Sequence, residues 1–155
     1  MTSSDKLPGP RYVALLELLR TAEALWNASR VFFAQWDLSP SQFNVLNLLH
    51  HQPGGRTQIE LSRELIMHRS NVTGLIDRLE KRGYLRRTAQ LDRRVNRIVL
   101  TPAGEKLVCR ILPEYYRVAE MLWGELPVRR TQRLVADLLV LNGNVNNLSH
   151  RLKHK

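Results

Sequence analysis

The chain has 155 residues, enough for one domain, and its 43% hydrophobic and 25% charged content is that of a globular rather than a disordered protein. Twenty-four Lys and Arg against fourteen Asp and Glu leave a formal charge of +10, which puts nucleic acid first among partners and an anionic membrane surface second. No apolar run reaches the ~18 residues of a membrane span, since Glu17 and Arg20 interrupt Val13–Leu25. The opening MTSSDKLPGP has no apolar region of a secretion signal, and the single cysteine, Cys109, suits a reducing cytoplasm.

After a small polar tail ending in Pro8-Gly9-Pro10, residues 11–36 contain no Gly or Pro. Tyr12, Leu15, Leu16, Leu19, Ala22, Trp26 and Phe33 recur at helical spacing, with apolar residues on more than one face. Such a helix needs more than its own small domain to cover it. Leu38-Ser39-Pro40-Ser41-Gln42 then predicts a helix start, with Ser39 as N-cap, Pro40 at the first position and Gln42 at capping-box spacing. This helix carries Phe43, Val45, Leu46, Leu48 and Leu49 and stops at Pro53-Gly54-Gly55.

Thr57-Gln58-Ile59-Glu60 is a second capping box, opening a short helix with Ile59, Leu61 and Leu65. A break near Met67-His68 leads to a third helix from Arg69 to about Arg82, ended by Gly83 as a C-cap. Two short helices joined by a tight turn make a helix-turn-helix. Past Gly83 the period changes: residues 84–89 and 95–100 read as strands around Gln90-Leu91-Asp92-Arg93-Arg94, a hairpin wing spanning about 84–100. Thr101-Pro102-Ala103-Gly104-Glu105 opens a long helix, and Leu126-Pro127 marks the next break. Beyond it Leu134, Leu138, Leu141, Val145, Leu148 and Leu152 step by four and three residues, the seam of a coiled coil. Gly143, at a cost of ~1 kcal/mol in a helix, does not interrupt that stripe.

The fold class expected is mainly α with a small β-hairpin wing: a winged helix-turn-helix lobe over 39–101, flanked by helices over 11–36 and 102–155, all in a single domain. At about 100° per residue, Val72, Leu75, Ile76 and Leu79 form the core side of the third helix. Ser70, Gly74, Asp77 and Lys81 lie opposite, with Thr73 on one flank and Asn71 and Arg78 on the other. Small hydrogen-bonding residues at the start and cations further on suit a helix entering a major groove. From Arg56 to Arg97 there are eleven cations, ten of them arginine, against five acids, a local balance of +6. Arginine is the side chain that forks onto phosphates and guanine edges. At the hairpin, an arginine held by Asp92 can enter a minor groove, while the bland reading is a charged, solubilising turn.

With these motifs in place, the chain resembles the MarR family of bacterial transcription regulators. The resemblance rests on LSPSQFNVLNLL, on TQIELSRELIMHRSNVTGLIDRLEKRGYLRR and on DRRVNRIVLTPAG, about 65 of 155 residues. It implies a homodimer of winged helix-turn-helix lobes reading a palindromic operator in double-stranded DNA, usually as a repressor. Carried over by position, Arg69, Ser70, Asn71, Thr73 and Arg78 match the recognition helix. Asp92 and Arg94 match the wing pair whose arginine enters the minor groove, with Arg93 beside them. Thr57 and Gln58 are candidates for phosphate contact through backbone amides, and Arg87 and Arg97 for supporting the wing or touching phosphate. The segment from Arg87 to Asp92 is about one residue shorter than the usual wing.

Dimerisation is assigned to Leu15 and Leu19 in the first helix and to Leu134, Leu138, Leu141, Val145, Leu148 and Leu152 in the last, since both helices need partners a second copy would supply. Trp26, Trp36, Trp123, Tyr115 and Tyr116 could line a pocket for a small aromatic effector, although aromatics at helical spacing are more often core. The effector residues of the family form no portable motif, so no ligand-binding residue is assigned. Cys109 reads as a buried or half-buried inert thiol, and the histidines show no ligand spacing, so neither metal nor cofactor is expected. Without a Walker loop, G-x-S-x-G or G-x-G-x-x-G, and with nothing in the sequence bringing Cys109 to a histidine, catalysis is not expected. The alternative to a specific regulator is a non-specific, basic architectural DNA-binding protein.

Overall fold

A computed structural model of the chain describes residues 9–65, 69–89 and 96–153. In chain order the elements are α1 (Pro10–Ala34), α2 (Pro40–His50), β1 (Arg56–Thr57), α3 (Gln58–Glu64), α4 (Arg69–Lys81), β2 (Leu85–Ala89), β3 (Asn96–Leu100), α5 (Pro102–Trp123) and α6 (Val128–Lys153). The architecture is mainly helical with one small antiparallel sheet, as the hydrophobic periods predict. Two compact units divide the chain, one ending at Arg110 and the other beginning at Ile111.

The caps of α2 and α3 form as their sequences dictate. Gln42 N donates to Ser39 Oγ at 3.2 Å while Ser39 N donates to Gln42 Oε1 at 2.8 Å. Glu60 N donates to Thr57 Oγ1 at 3.2 Å, and Thr57 N donates to Glu60 Oε2 at 2.6 Å. Each box satisfies two amides that a helix start would otherwise leave open. The first helix ends at Ala34, two residues before the expected Trp36: Trp36 N and Leu38 N both donate to Phe33 O.

The first unit is built around Phe33, Phe43, Val45, Leu46, Leu49, Leu61, Val72, Ile76, Leu79, Leu85, Ile98 and Val108, all at most 2% exposed. Phe33 of α1 stacks on Phe43 of α2, with ring centroids 4.4 Å apart. The sheet has the order β1-β3-β2, both pairs antiparallel, with Leu85 opposite Leu100, Ala89 opposite Asn96 and Arg56 opposite Ile98. β1 was not anticipated; two residues are too few to display a period of two.

Two glycines are required by geometry. Gly83 ends α4 at φ +74°, the left-handed conformation of a helix C-cap. Gly104, in the first turn of α5, lies so close to β2's approach that a Cβ would sit 1.9 Å from Tyr84 O. Thr101 draws the two segments together, its Oγ1 donating to Gly83 O at 2.6 Å and accepting from Gly104 N at 3.1 Å.

In the second unit Ile111 and Leu112 are buried. α6 is one continuous helix through Gly143, as its stripe predicts.

Candidate nucleic-acid interface

α4 presents two contrasting sides. Val72, Leu75, Ile76 and Leu79 are buried, none more than 8% exposed, whereas Asn71, Thr73, Asp77, Arg78 and Lys81 are exposed. Arg69 and Ser70 belong to its first turn; their side chains lie outside the described residues. Gly74 faces open space, with no atom within 4 Å of the position a Cβ would take. The outer side is therefore flat at its middle, hydrogen-bonding near its start and cationic near its end.

Three side chains lock this helix in place. Gln58 Nε2 donates to Thr73 Oγ1, tying α3 to α4 across the helix-turn-helix. Arg87 on β2 bonds Glu80 and Asp77 of α4 with its guanidinium, and its amide donates to Glu80 Oε1 at 3.0 Å. The hydrogen bond to Asp77, and then the two carboxylate charges, hold the Arg87 proton more tightly than in free arginine. Arg82 donates to Asp37 O at 2.6 Å and lies over the Tyr84 ring, 5.0 Å from its centroid.

These contacts reassign several residues. Arg87 is turned onto α4, where Asp77 and Glu80 neutralise its guanidinium and tie the wing strand to the helix. Arg97, on β3, is also turned onto its own chain: its Nε donates to Gly54 O at 2.8 Å and its Nη2 to Gly55 O at 2.5 Å, pinning the turn before β1. The Thr57 amide donates to Glu60 in the α3 capping box while its hydroxyl accepts from the Glu60 amide, and the Gln58 side chain bonds Thr73. Arg56 is paired with Glu64. By contrast Arg63, Arg78, Lys81 and Arg86 are exposed and have no ion pair among the described residues. Sequence reading singled out only Arg78 of these four, because counting cations does not reveal which are internally neutralised. Asp92, Arg93 and Arg94 lie outside the described residues.

The Thr57 N–H first, and its side chain second, hold the Glu60 carboxyl below the usual carboxylate range, with Arg97 and Arg56 adding to the effect.

Leu15 and Leu19 on α1 are exposed, as are Leu134, Leu138, Leu141, Val145, Leu148 and Leu152 on α6. Trp26, Tyr116 and Trp123 are also exposed in the single chain rather than core. A pocket of about 330 Å³ at the α1–α2 junction is lined by Arg30, Asp37, Leu38 and Gln42, and none of the five candidate aromatics borders it. Cys109 is exposed, not buried or half-buried. The fold also does what the sequence gave no sign of, and brings Cys109 to a histidine: donor atoms of His50, Glu105 and Cys109 lie within 4.8 Å of one another.

Among the described residues no helix is long and apolar enough to cross a membrane. Residues 36–95 match the model of the MarR family. The HTH-type transcriptional regulator PapX of Escherichia coli is 30% identical over 110 residues, covering 70% of this chain and 67% of that protein. Among solved structures, a MarR/EmrR family transcriptional regulator from Acinetobacter sp. ADP1 superimposes with a TM-score of 0.81 at 18% identity, covering 90% of this chain and 99% of that one. The S. aureus MepR–DNA complex superimposes with a TM-score of 0.74 at 22% identity, covering 86% and 97%.

Proposed function

The chain belongs to the MarR family, and from that premise we propose that it works as a homodimeric repressor on a palindromic operator. It is a DNA-binding transcription regulator and not an enzyme. The observation that carries the finer reading is α4 itself, with an apolar side at most 8% exposed and an outer side of Asn71, Thr73, Arg78 and Lys81 held rigid by Gln58 and Arg87. A rigid helix with hydrogen-bonding groups at its start can insert into a major groove without reordering on binding.

In this reading Ser70, Asn71 and Thr73 contact base edges, and Arg69 and Arg78 serve base or phosphate. Arg63, Lys81 and Arg86 add phosphate contacts. Arg94, oriented by Asp92, enters the minor groove. Arg94→Ala should weaken operator binding more than about tenfold, the scale of one good base contact, with the dimer intact; unchanged affinity in an anisotropy titration sinks that assignment. The exposed apolar residues of α1 and α6 support pairing with a second copy, which would place two reading helices about one turn of DNA apart. Its site of action is the cytoplasm, where such an operator lies. A small-molecule effector would act by changing the spacing of the two reading helices. The MepR–DNA complex lends support as a protein of the same fold bound to DNA.

Selection of bound duplexes from a random double-stranded pool at physiological salt tests this. A palindrome with half-sites ~10 bp apart supports the dimeric reader. No enriched motif, with affinity collapsing as salt rises, favours the architectural alternative.

A further inference from the structure

His50 is the last residue of α2, and Glu105 and Cys109 lie one turn apart on α5, so three different donor types converge from two helices within the first unit. His50 Nδ1 is 2.7 Å from Glu105 Oε1, and Cys109 Sγ is 3.8 Å from the same oxygen. All three donors fall within 4.8 Å of one another. His50 Nδ1 is itself buried and faces the Glu105 carboxylate, an ion pair whenever the imidazole carries its second proton. A divalent cation between a neutral imidazole and the carboxylate would supply that positive charge in the proton's place.

We propose that His50, Glu105 and Cys109 bind one divalent cation of the zinc class. Zinc takes imidazole nitrogen, carboxylate oxygen and thiolate sulfur at ~2.0–2.3 Å, which sets tetrahedral donors about 3.5 Å apart. The observed 2.7 and 3.8 Å straddle that spacing. Glu105 and Cys109 are exposed and free to turn onto an ion. The Cys109 thiol would lose its proton to solvent on binding, and the resulting thiolate and carboxylate charges would balance the ion's two. Sulfur and imidazole donors select against magnesium and calcium, which prefer oxygen. Three protein ligands leave a fourth position for water, the open arrangement of an exchangeable rather than a closed structural site. The ion would fasten the end of α2 to the first turns of α5. This site does not depend on the assignment of DNA contacts.

Cobalt(II) titrated into the metal-free full chain under reducing conditions tests it, in a His150→Ala/His154→Ala background that removes the other spaced histidine pair. A sulfur-to-cobalt charge-transfer band saturating at one ion per chain, and bleached by zinc, is the expected result. Cys109→Ser should abolish the band. His50→Gln and Glu105→Gln should each weaken binding by more than about tenfold, a loss that even outer-shell substitutions reach. Far-UV circular dichroism confirms that each variant is folded. Absence of the band in the folded parent overturns the site, as does a smaller loss in either the His50 or the Glu105 variant.

Discussion

Single residues decide whether a cation in this protein faces its own chain or a ligand. Arg87 and Arg97 are arginines in a basic stretch, indistinguishable by composition from Arg78 and Arg86, yet the first two are bonded to Asp77, Glu80 and the carbonyls of Gly54 and Gly55. Their partners are 7 to 43 residues away in the chain, so only the fold reveals them. Gly74 poses a different question, since nothing within 4 Å would obstruct a methyl there. Gly74→Ala should stabilise α4 by ~1 kcal/mol through helix propensity and raise the melting temperature by about 2–4 °C. If the α4 backbone approaches DNA closely, the same variant should lose operator affinity; a more stable protein with unaltered affinity removes Gly74 from the contact surface. Gly104 behaves oppositely. A Cβ there meets the Tyr84 carbonyl at 1.9 Å, and because backbone rather than a movable side chain is the obstacle, Gly104→Ala should cost at least ~1–3 kcal/mol in denaturant unfolding.

At the scale of elements, the helix starts were legible because capping is local chemistry. Ser39 with Gln42 and Thr57 with Glu60 are each three residues apart, and both boxes form with the hydrogen bonds their spacing implies. The same Thr57 was also read as a phosphate ligand through its amide, and that amide donates its one proton to Glu60 in the cap. The cap carries a pH dependence whose sign is set. Glu60's carboxyl is held below its ordinary range in the folded chain, so its contribution is present above the unfolded-state value and is lost as pH falls through the depressed one. Glu60→Gln should remove that part of the slope of stability against pH, measured by urea unfolding across the acidic range. A slope identical to the parent's would show that the cap carbonyl oxygen, not its charge, is what matters. β1, two residues long, stayed invisible because its pairing with β3 is entirely non-local.

For the whole molecule, the exposed apolar residues pose the main physical problem. Leu141 and Leu148 are 40% and 56% exposed in the single chain, and the rest of the 134–152 stripe is exposed as well. Apolar surface on that scale is costly in water and is relieved by association. Leu141→Asp or Leu148→Asp should therefore convert a dimer to monomer in light scattering at micromolar concentration, with the helix content of the first unit retained. A persisting dimer refutes the seam. The charge of +10 predicts a second whole-molecule property: DNA affinity should fall steeply with salt, and removing a cation proposed to contact phosphate, Arg78→Ala or Arg86→Ala, should lower the slope of log affinity against log salt by about one.

By itself the sequence determined the helices, their caps, the wing strands and the buried side of α4, because hydrophobic period and capping act over three to seven neighbouring residues. The tertiary structure alone decided which arginines are clamped, why Gly104 carries no side chain, that Cys109 is at the surface, and that it shares a corner with His50 and Glu105. Those facts depend on atoms brought together from positions tens of residues apart, and no local pattern records such a meeting.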